Sequence, residues 1–176
     1  SFFPQLVAGP IERASNLLPQ ILNDRMFKYD DGIKSIRQII WGLFKKIVIA
    51  DNCAQYANLI FNNFMDYNSS ALILGLFFFS FQIYCDFSGY SDIAIGVSRL
   101  LGFELMLNFK FPYFSRDIGE FWRRWHISLS TWFRDYLYIP MGGSKRSKWL
   151  SIRNIFIIFI ASGFWHGANW TFIMLS

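Results

Sequence analysis

Two histidines offer most of the chemistry open to this sequence. His166 sits in Ser-Gly-Phe-Trp-His-Gly-Ala-Asn-Trp, residues 162–170, inside a run from Asn154 to Ser176 that carries no formal charge. An ionisable side chain at membrane depth is costly and usually faces a protein interior or a water-filled cavity. His126 lies in Trp-Arg-Arg-Trp-His-Ile-Ser, residues 122–128, in an aromatic setting of its own. Imidazole gives or takes a proton near neutral pH. Either ring can therefore act as a general base that deprotonates a hydroxyl while it attacks an acyl carbon. An apolar setting keeps the ring neutral for that task, and a second imidazole can orient the substrate or stabilise the developing oxyanion. Two other chemistries fit the same pair. Histidines on facing helices can ligate a haem iron, or they can relay protons with Asp86 or Asp92 as a further station. A packing role, with one hydrogen bond to a neighbouring helix, fits His166 as well.

Other catalytic patterns are weak or missing. The sequence has no Gly-x-Ser-x-Gly elbow, no P-loop and no His-Glu-x-x-His. Cys53 and Cys85 fall in or beside apolar segments with neither a disulfide framework nor a metal spacing. Two histidines without clustered thiols do not make a zinc site, so no metal is expected.

The elements that must position these residues read as helices. Tyr67–Cys85 and Asn154–Ser176 are charge-free apolar runs, and about 20 such residues match the ~30 Å bilayer core. The first runs into Asp86-Phe87-Ser88-Gly89-Tyr90-Ser91-Asp92. That stretch predicts a helix broken at Gly89 beside a cavity; the alternative is a solvated span end with Asp92 capping the next helix. Between Gly32 and Asn63, after an Asp31-Gly32 turn signal, Ile33, Ile36, Ile40, Leu43, Phe44 and Ile47 recur at helical steps. Lys34, Arg37, Lys45, Lys46 and Asp51 interrupt them, which reads as amphipathic or partly inserted.

Ser115–Leu137 predicts one aromatic-faced helix. At ~100° per residue, Trp122, Trp125, Leu129, Trp132, Phe133 and Tyr136 share a face, with Arg123, Arg124, Thr131, Arg134 and Asp135 opposite. Glu120 precedes Arg124 in the favourable ion-pair order, and His126 falls at the edge of the aromatic face near Phe133. Such a helix suits the headgroup region. Asp86, Asp92, Arg134 and Asp135 are expected first as structural polar pairs. The loop Pro140–Lys148, followed by Arg153, is cytoplasmic by the positive-inside tendency. From Arg153, 1.5 Å per residue sets His166 roughly 20 Å into the bilayer. Gly163 and Gly167 beside it allow a close helix contact.

Composition agrees through distribution more than total. The chain is 53% hydrophobic and 20% aromatic, against ~45–50% apolar for a soluble domain. The net charge is +5, and Lys and Arg cluster between the apolar runs, which fits loops beside a membrane and not a nucleic-acid partner. Neither run reads as a signal peptide. The sequence opens on Ser1 and stops inside the last apolar run, which is read as an excerpt of a larger polytopic protein.

Phe121-Trp122-Arg123-Arg124-Trp125-His126-Ile127-Ser128-Leu129-Ser130, then Trp132-Phe133-Arg134-Asp135-Tyr136, then Trp165-His166-Gly167, resemble the membrane-bound O-acyltransferases. Residues 84–92 and 5–11 are similar to that family too, in the same order along essentially the whole chain. Tyr138-Ile139-Pro140-Met141-Gly142-Gly143 resembles the alginate O-acetyltransferase branch more than the teichoic acid D-alanyltransferases. The resemblance implies an all-α, polytopic fold of transmembrane, broken and interfacial helices around a tunnel. Residues 1–176 would be the central, catalytic part of a single membrane domain, without its N- and C-terminal helices. It implies a multi-pass protein of the inner (cytoplasmic) membrane that binds no cofactor and takes acetyl-coenzyme A or another acyl thioester as donor. The acceptor would be the hydroxyls of an extracytoplasmic polysaccharide, with periplasmic or extracytoplasmic acetyltransferase partners and no nucleic acid. By the same resemblance His166 is the general base and His126 assists, while Trp122, Trp125, Trp165 and Asn169 line the tunnel. Ordinary membrane packing accounts for each tryptophan equally. D-alanyl transfer to teichoic acid, and a bis-His haem or proton-relay protein without transferase activity, stay open as alternatives.

Overall fold

A computed structural model describes residues 9–26, 28–144 and 147–166, the last without the side chain of His166. Every regular element among them is helical. The chain divides into two compact units between Ser128 and Leu129.

In the first unit, α1 (Ala14–Leu22) buries none of its residues. Gln20 and Glu12 nevertheless tie it down. Gln20 donates to the Glu104 carbonyl at 3.1 Å and accepts the Glu104 N–H at 2.8 Å, and Glu12 accepts the Met106 N–H. α2 (Tyr29–Leu43) begins ahead of the expected Asp31-Gly32 turn. Asp30 and Asp31 sit in its first turn, where carboxylates favour the positive end of a helix, so the Asp-Gly pair is absorbed into the helix. A π-helical segment, Phe44–Ala50, carries the chain without a break into α3 (Asp51–Asn62).

α4 spans Ser69–Leu100, 32 residues. Asn68 caps its start by accepting the Ala71 N–H at 2.9 Å. A Schellman turn ends it: Phe103 N–H donates to the Ser98 carbonyl at 2.9 Å and Gly102 N–H to the Arg99 carbonyl at 3.0 Å. Gly102 supplies the φ of +81° that this turn needs.

The expected break at Gly89 does not occur, and Asp92 caps nothing; both lie inside α4. The glycine serves an approach instead of a bend. A Cβ on Gly89 would sit 2.8 Å from the Gly42 carbonyl oxygen, and one on Gly42 would sit 2.6 Å from the Gly89 carbonyl oxygen. Gly75 against Ile60 and Gly96 against Ser35 are equally tight, so α4 runs antiparallel along the whole of α2, the π segment and α3. Ile73, Leu76 and Phe77 remain uncovered on it, as on a lipid-facing helix. Among the described residues α4 is the one helix long and apolar enough to cross a membrane.

Ser115–Leu137 is not one helix either. It forms α5 (Ile118–Arg124) and α6 (Ile127–Phe133), separated by an extended Trp125 and by His126 at φ +42°. Two backbone bonds from the preceding loop replace the helical ones. Lys110 N–H donates to the Arg124 carbonyl and Ile127 N–H to the Asn108 carbonyl, both at 2.9 Å. The helical period that would put residues 122–136 on one face is therefore interrupted at Trp125 and His126.

In the second unit, α6 passes into a π-helical segment, Arg134–Tyr138, and a turn leads to α7 (Lys148–His166). Asn154, fully buried, donates its amide to the Met141 carbonyl at 3.3 Å and so pins the start of α7 to that turn. Residues 154–166 of α7 cover the first part of the expected charge-free run; residues 167–176 lie outside the described residues.

Candidate active site

The site in the first unit is built around His126. A histidine at positive φ is uncommon but several-fold more frequent than most residues there. It costs of order 1–3 kcal/mol and persists where surrounding structure over-determines it. The over-determination is visible. The two backbone bonds to Asn108 and Lys110 bracket Trp125–His126. Asn108, 1% exposed, is the hub behind them. Its amide donates to Ser91 Oγ on α4 at 3.0 Å, and its side-chain carbonyl accepts from Ser128 Oγ at 2.5 Å. Ser128 in turn accepts the Ile11 N–H at 3.0 Å. One buried amide thus joins α4, the 108–110 loop and the start of α6, and through Ser128 the stretch that leads into α1.

The wall around His126 is aromatic. Phe87 of α4 meets its ring edge-on with centroids 4.7 Å apart. Phe109 packs against both Phe87 (4.9 Å) and Trp125 (5.0 Å), and Phe121 stacks on Trp125 at 5.5 Å. Trp125 and Trp122 thus belong with His126, although Trp122 is 41% exposed and touches Phe121 from outside. α5 is held in place at its start. Asp117 accepts the Glu120 N–H at 2.7 Å, and the Glu120 carboxylate accepts the Arg116 N–H at 2.8 Å and pairs with Arg124. The Arg116 N–H, followed by the Arg124 charge, holds the Glu120 carboxyl below its ordinary range. The anticipated Glu120–Arg124 pair is present.

Asp86 and Asp92 each form an ion pair, with partners that sequence reasoning did not assign. Lys46 reaches Asp86 at 2.7 Å and Asp51 at 2.9 Å. Lys45, 7% exposed, pairs with Asp92 and donates to Ser88 Oγ at 2.9 Å. Gln38 bridges onward, donating to Asp92 at 3.1 Å and accepting from Arg99 at 2.8 Å. A lysine inside an apolar helix needs a partner, and that was the available signal for Lys45. Nothing in the local pattern marked Asn108.

The second unit holds the remaining described candidates. Trp165 lies 6.3 Å from Trp132 between ring centroids, and Arg134 pairs with Asp135 at 2.8 Å. That contact raises the Arg134 pKa above its ordinary value. α7 is helical from Arg153 to His166, which keeps the roughly 20 Å separation given by 1.5 Å per residue. The side chain of His166, and all of Asn169, lie outside the described residues. Among the described residues no group of His, Cys, Asp and Glu could hold a metal ion.

Known proteins share this arrangement at the level of sequence. The chain is 43% identical to a peptidoglycan O-acetyltransferase of Helicobacter pylori, over 99% of this chain and 33% of the relative. It is 45% identical to a probable alginate O-acetylase of Azotobacter vinelandii, over 99% of this chain and 34% of the relative. Against a teichoic acid D-alanyltransferase of Bacillus subtilis the identity is 31%, over 94% of this chain and 44% of the relative. The chain thus spans about a third of the length of the first two. The family model of the membrane-bound O-acyltransferases matches residues 1–176, and the chain belongs to that family.

Proposed function

We propose that the protein is an O-acyltransferase of the inner membrane. It moves acetyl groups from a cytoplasmic thioester, acetyl-coenzyme A or a carrier-bound equivalent, towards the hydroxyls of an extracytoplasmic polysaccharide such as alginate or peptidoglycan. The observation that carries this reading is the gradient of likeness. Identity is 43–45% to relatives named for O-acetyl transfer and 31% to those named for D-alanyl transfer. His166 takes the proton of the attacking hydroxyl, the oxygen adds to the thioester carbon, and the thiol leaves with a proton returned by the imidazolium. His126 donates a hydrogen bond to the acyl carbonyl or holds the acceptor, aimed by its left-handed backbone and its aromatic wall. Trp122, Trp125, Trp165 and Asn169 line the path. Several spans enclose this centre, and partner proteins on the far side of the membrane complete the transfer to polymer.

The test is His166→Ala in the full-length protein, with folding checked by unchanged thermal unfolding. Acetyl transfer is expected to fall about 10²–10⁴-fold, the range for losing a general base. A folded variant that acetylates at the parental rate overturns the assignment.

A further inference from the structure

Lysine and arginine are unevenly placed on the first unit. The end where α2 begins and α4 finishes carries Arg25, Lys28, Lys34, Arg37 and Arg99, whereas residues 62–68 at the opposite end carry Asp66 and no cation. By the positive-inside tendency the first end faces the cytoplasm. There the structure has a cavity of about 380 Å³, between the chain that enters α2 and the Schellman turn that ends α4. Arg25, Lys28 and Arg99 line it. Arg25 lies over the Phe103 ring at 4.4 Å and donates to the Gln20 carbonyl at 3.3 Å; Arg99 donates to Gln38. None of these contacts cancels a charge. Of the two carboxylates in the lining, Asp31 is shared with Lys34 at 3.7 Å, which leaves Glu104 against three cations.

The surroundings are those of a lipid surface. α1 leaves Leu18, Ile21 and Leu22 exposed although its ends are tied to the loop after α4. Met26 and Leu101, in the cavity lining, are exposed too. An unburied apolar helix followed at once by cations describes a segment lying in the headgroup layer, and a basic pocket beside a span on the cytoplasmic side suits an anionic headgroup. We propose that this cavity is a phosphate-binding site at the membrane surface, filled by the headgroup of an acidic phospholipid. Arg25 and Lys28 reach the phosphate from the α1–α2 connection and Arg99 from the end of α4. The bound lipid staples the interfacial helix to the spanning one. Arg99 also begins the Gln38–Asp92–Lys45–Ser88 chain, so the occupied cavity steadies the face of α4 that carries Phe87.

The experiment uses the full-length protein in nanodiscs of phosphatidylcholine with or without phosphatidylglycerol, read by native mass spectrometry and thermal unfolding. Phosphatidylglycerol is expected to stay bound through detergent exchange and to raise the unfolding temperature. Arg25 and Lys28 are both exposed, so Arg25→Gln with Lys28→Gln is expected to fold. Each juxtamembrane cation removed weakens binding by about fivefold, about 25-fold for the pair. The charge-preserving Arg25→Lys with Lys28→Arg is expected to bind within a few-fold of the parent. Three results would overturn the proposal. One is equal binding of phosphatidylcholine. Another is parental binding by the double glutamine variant. The third is an equal rise in unfolding temperature from inorganic phosphate in phosphatidylcholine alone, which would assign the cavity to a soluble phosphate.

Discussion

Asn108→Ala is the substitution that most directly tests how His126 is held. Asn108 is 1% exposed, and its side chain makes one bond to Ser91 and accepts one from Ser128. Leaving a buried partner unsatisfied costs about 1–3 kcal/mol per group. Ser128 keeps part of its satisfaction, because its oxygen still accepts the Ile11 N–H at 3.0 Å. The lower end of that range therefore applies to it. Adding the lost Ser91 bond and a small cavity gives roughly 2–4 kcal/mol overall. The Asn108 carbonyl still accepts the Ile127 N–H, so α6 should still start in place and the fold should survive. Equilibrium unfolding of the full-length protein measures the loss. A double-mutant cycle with Ser91→Ala should give a coupling of about 1 kcal/mol, since the two are in direct contact. Acetyl transfer below the unfolding temperature should fall in kcat more than it rises in KM, because the variant frees the segment that aims the imidazole. A stability change under about 0.5 kcal/mol, the size of an ordinary surface substitution, would refute the reasoning, and so would zero coupling to Ser91.

Two further outcomes follow from the α2–α4 contact. Gly89→Ala places a Cβ 2.8 Å from the Gly42 carbonyl oxygen and 3.1 Å from the Lys46 nitrogen, both backbone atoms that cannot swing aside. A loss of about 1–3 kcal/mol is expected from such overpacking, and unfolding that matches the parent would show the two helices are not in this contact. Asp92→Asn strands Lys45, whose side chain is 9% exposed in the pair, and is expected to cost about 3–5 kcal/mol, while Lys45→Met together with Asp92→Leu recovers most of it. Equal instability of the single and double variants, read by the same unfolding assay, would remove the pair from the account of the fold.

The parts legible in the sequence are those that local pattern determines. The first half of α4 and α7 from Asn154 onward lie within the charge-free runs, the long helical pattern from Gly32 to Asn63 is α2 through α3, and the Glu120–Arg124 pair sits at its helical spacing. The misreadings have one cause. Gly89 carries the same local signal whether it breaks a helix or admits a neighbour, and the residue that decides, Gly42, is remote in sequence. Lys45 and Asp92 each look out of place in sequence, yet only the packing of the π-helical segment against α4 makes one the partner of the other.

The break at His126 is the most instructive case. The aromatic spacing from Trp122 to Tyr136 satisfies a helical period, and the period was not wrong about α5 or α6. It failed at the two residues where bonds from Asn108 and Lys110 replace the helix's own. An uninterrupted helix would have set His126 in the register of its neighbours, beside Phe133. The left-handed turn instead releases it from that register and sets it against Phe87 of α4. Local rules are expected to fail where function strains the backbone. At His126 the strain falls on one of the chain's two imidazoles, and the hydrogen bonds that sustain it come from Asn108 and Lys110, remote from it in sequence.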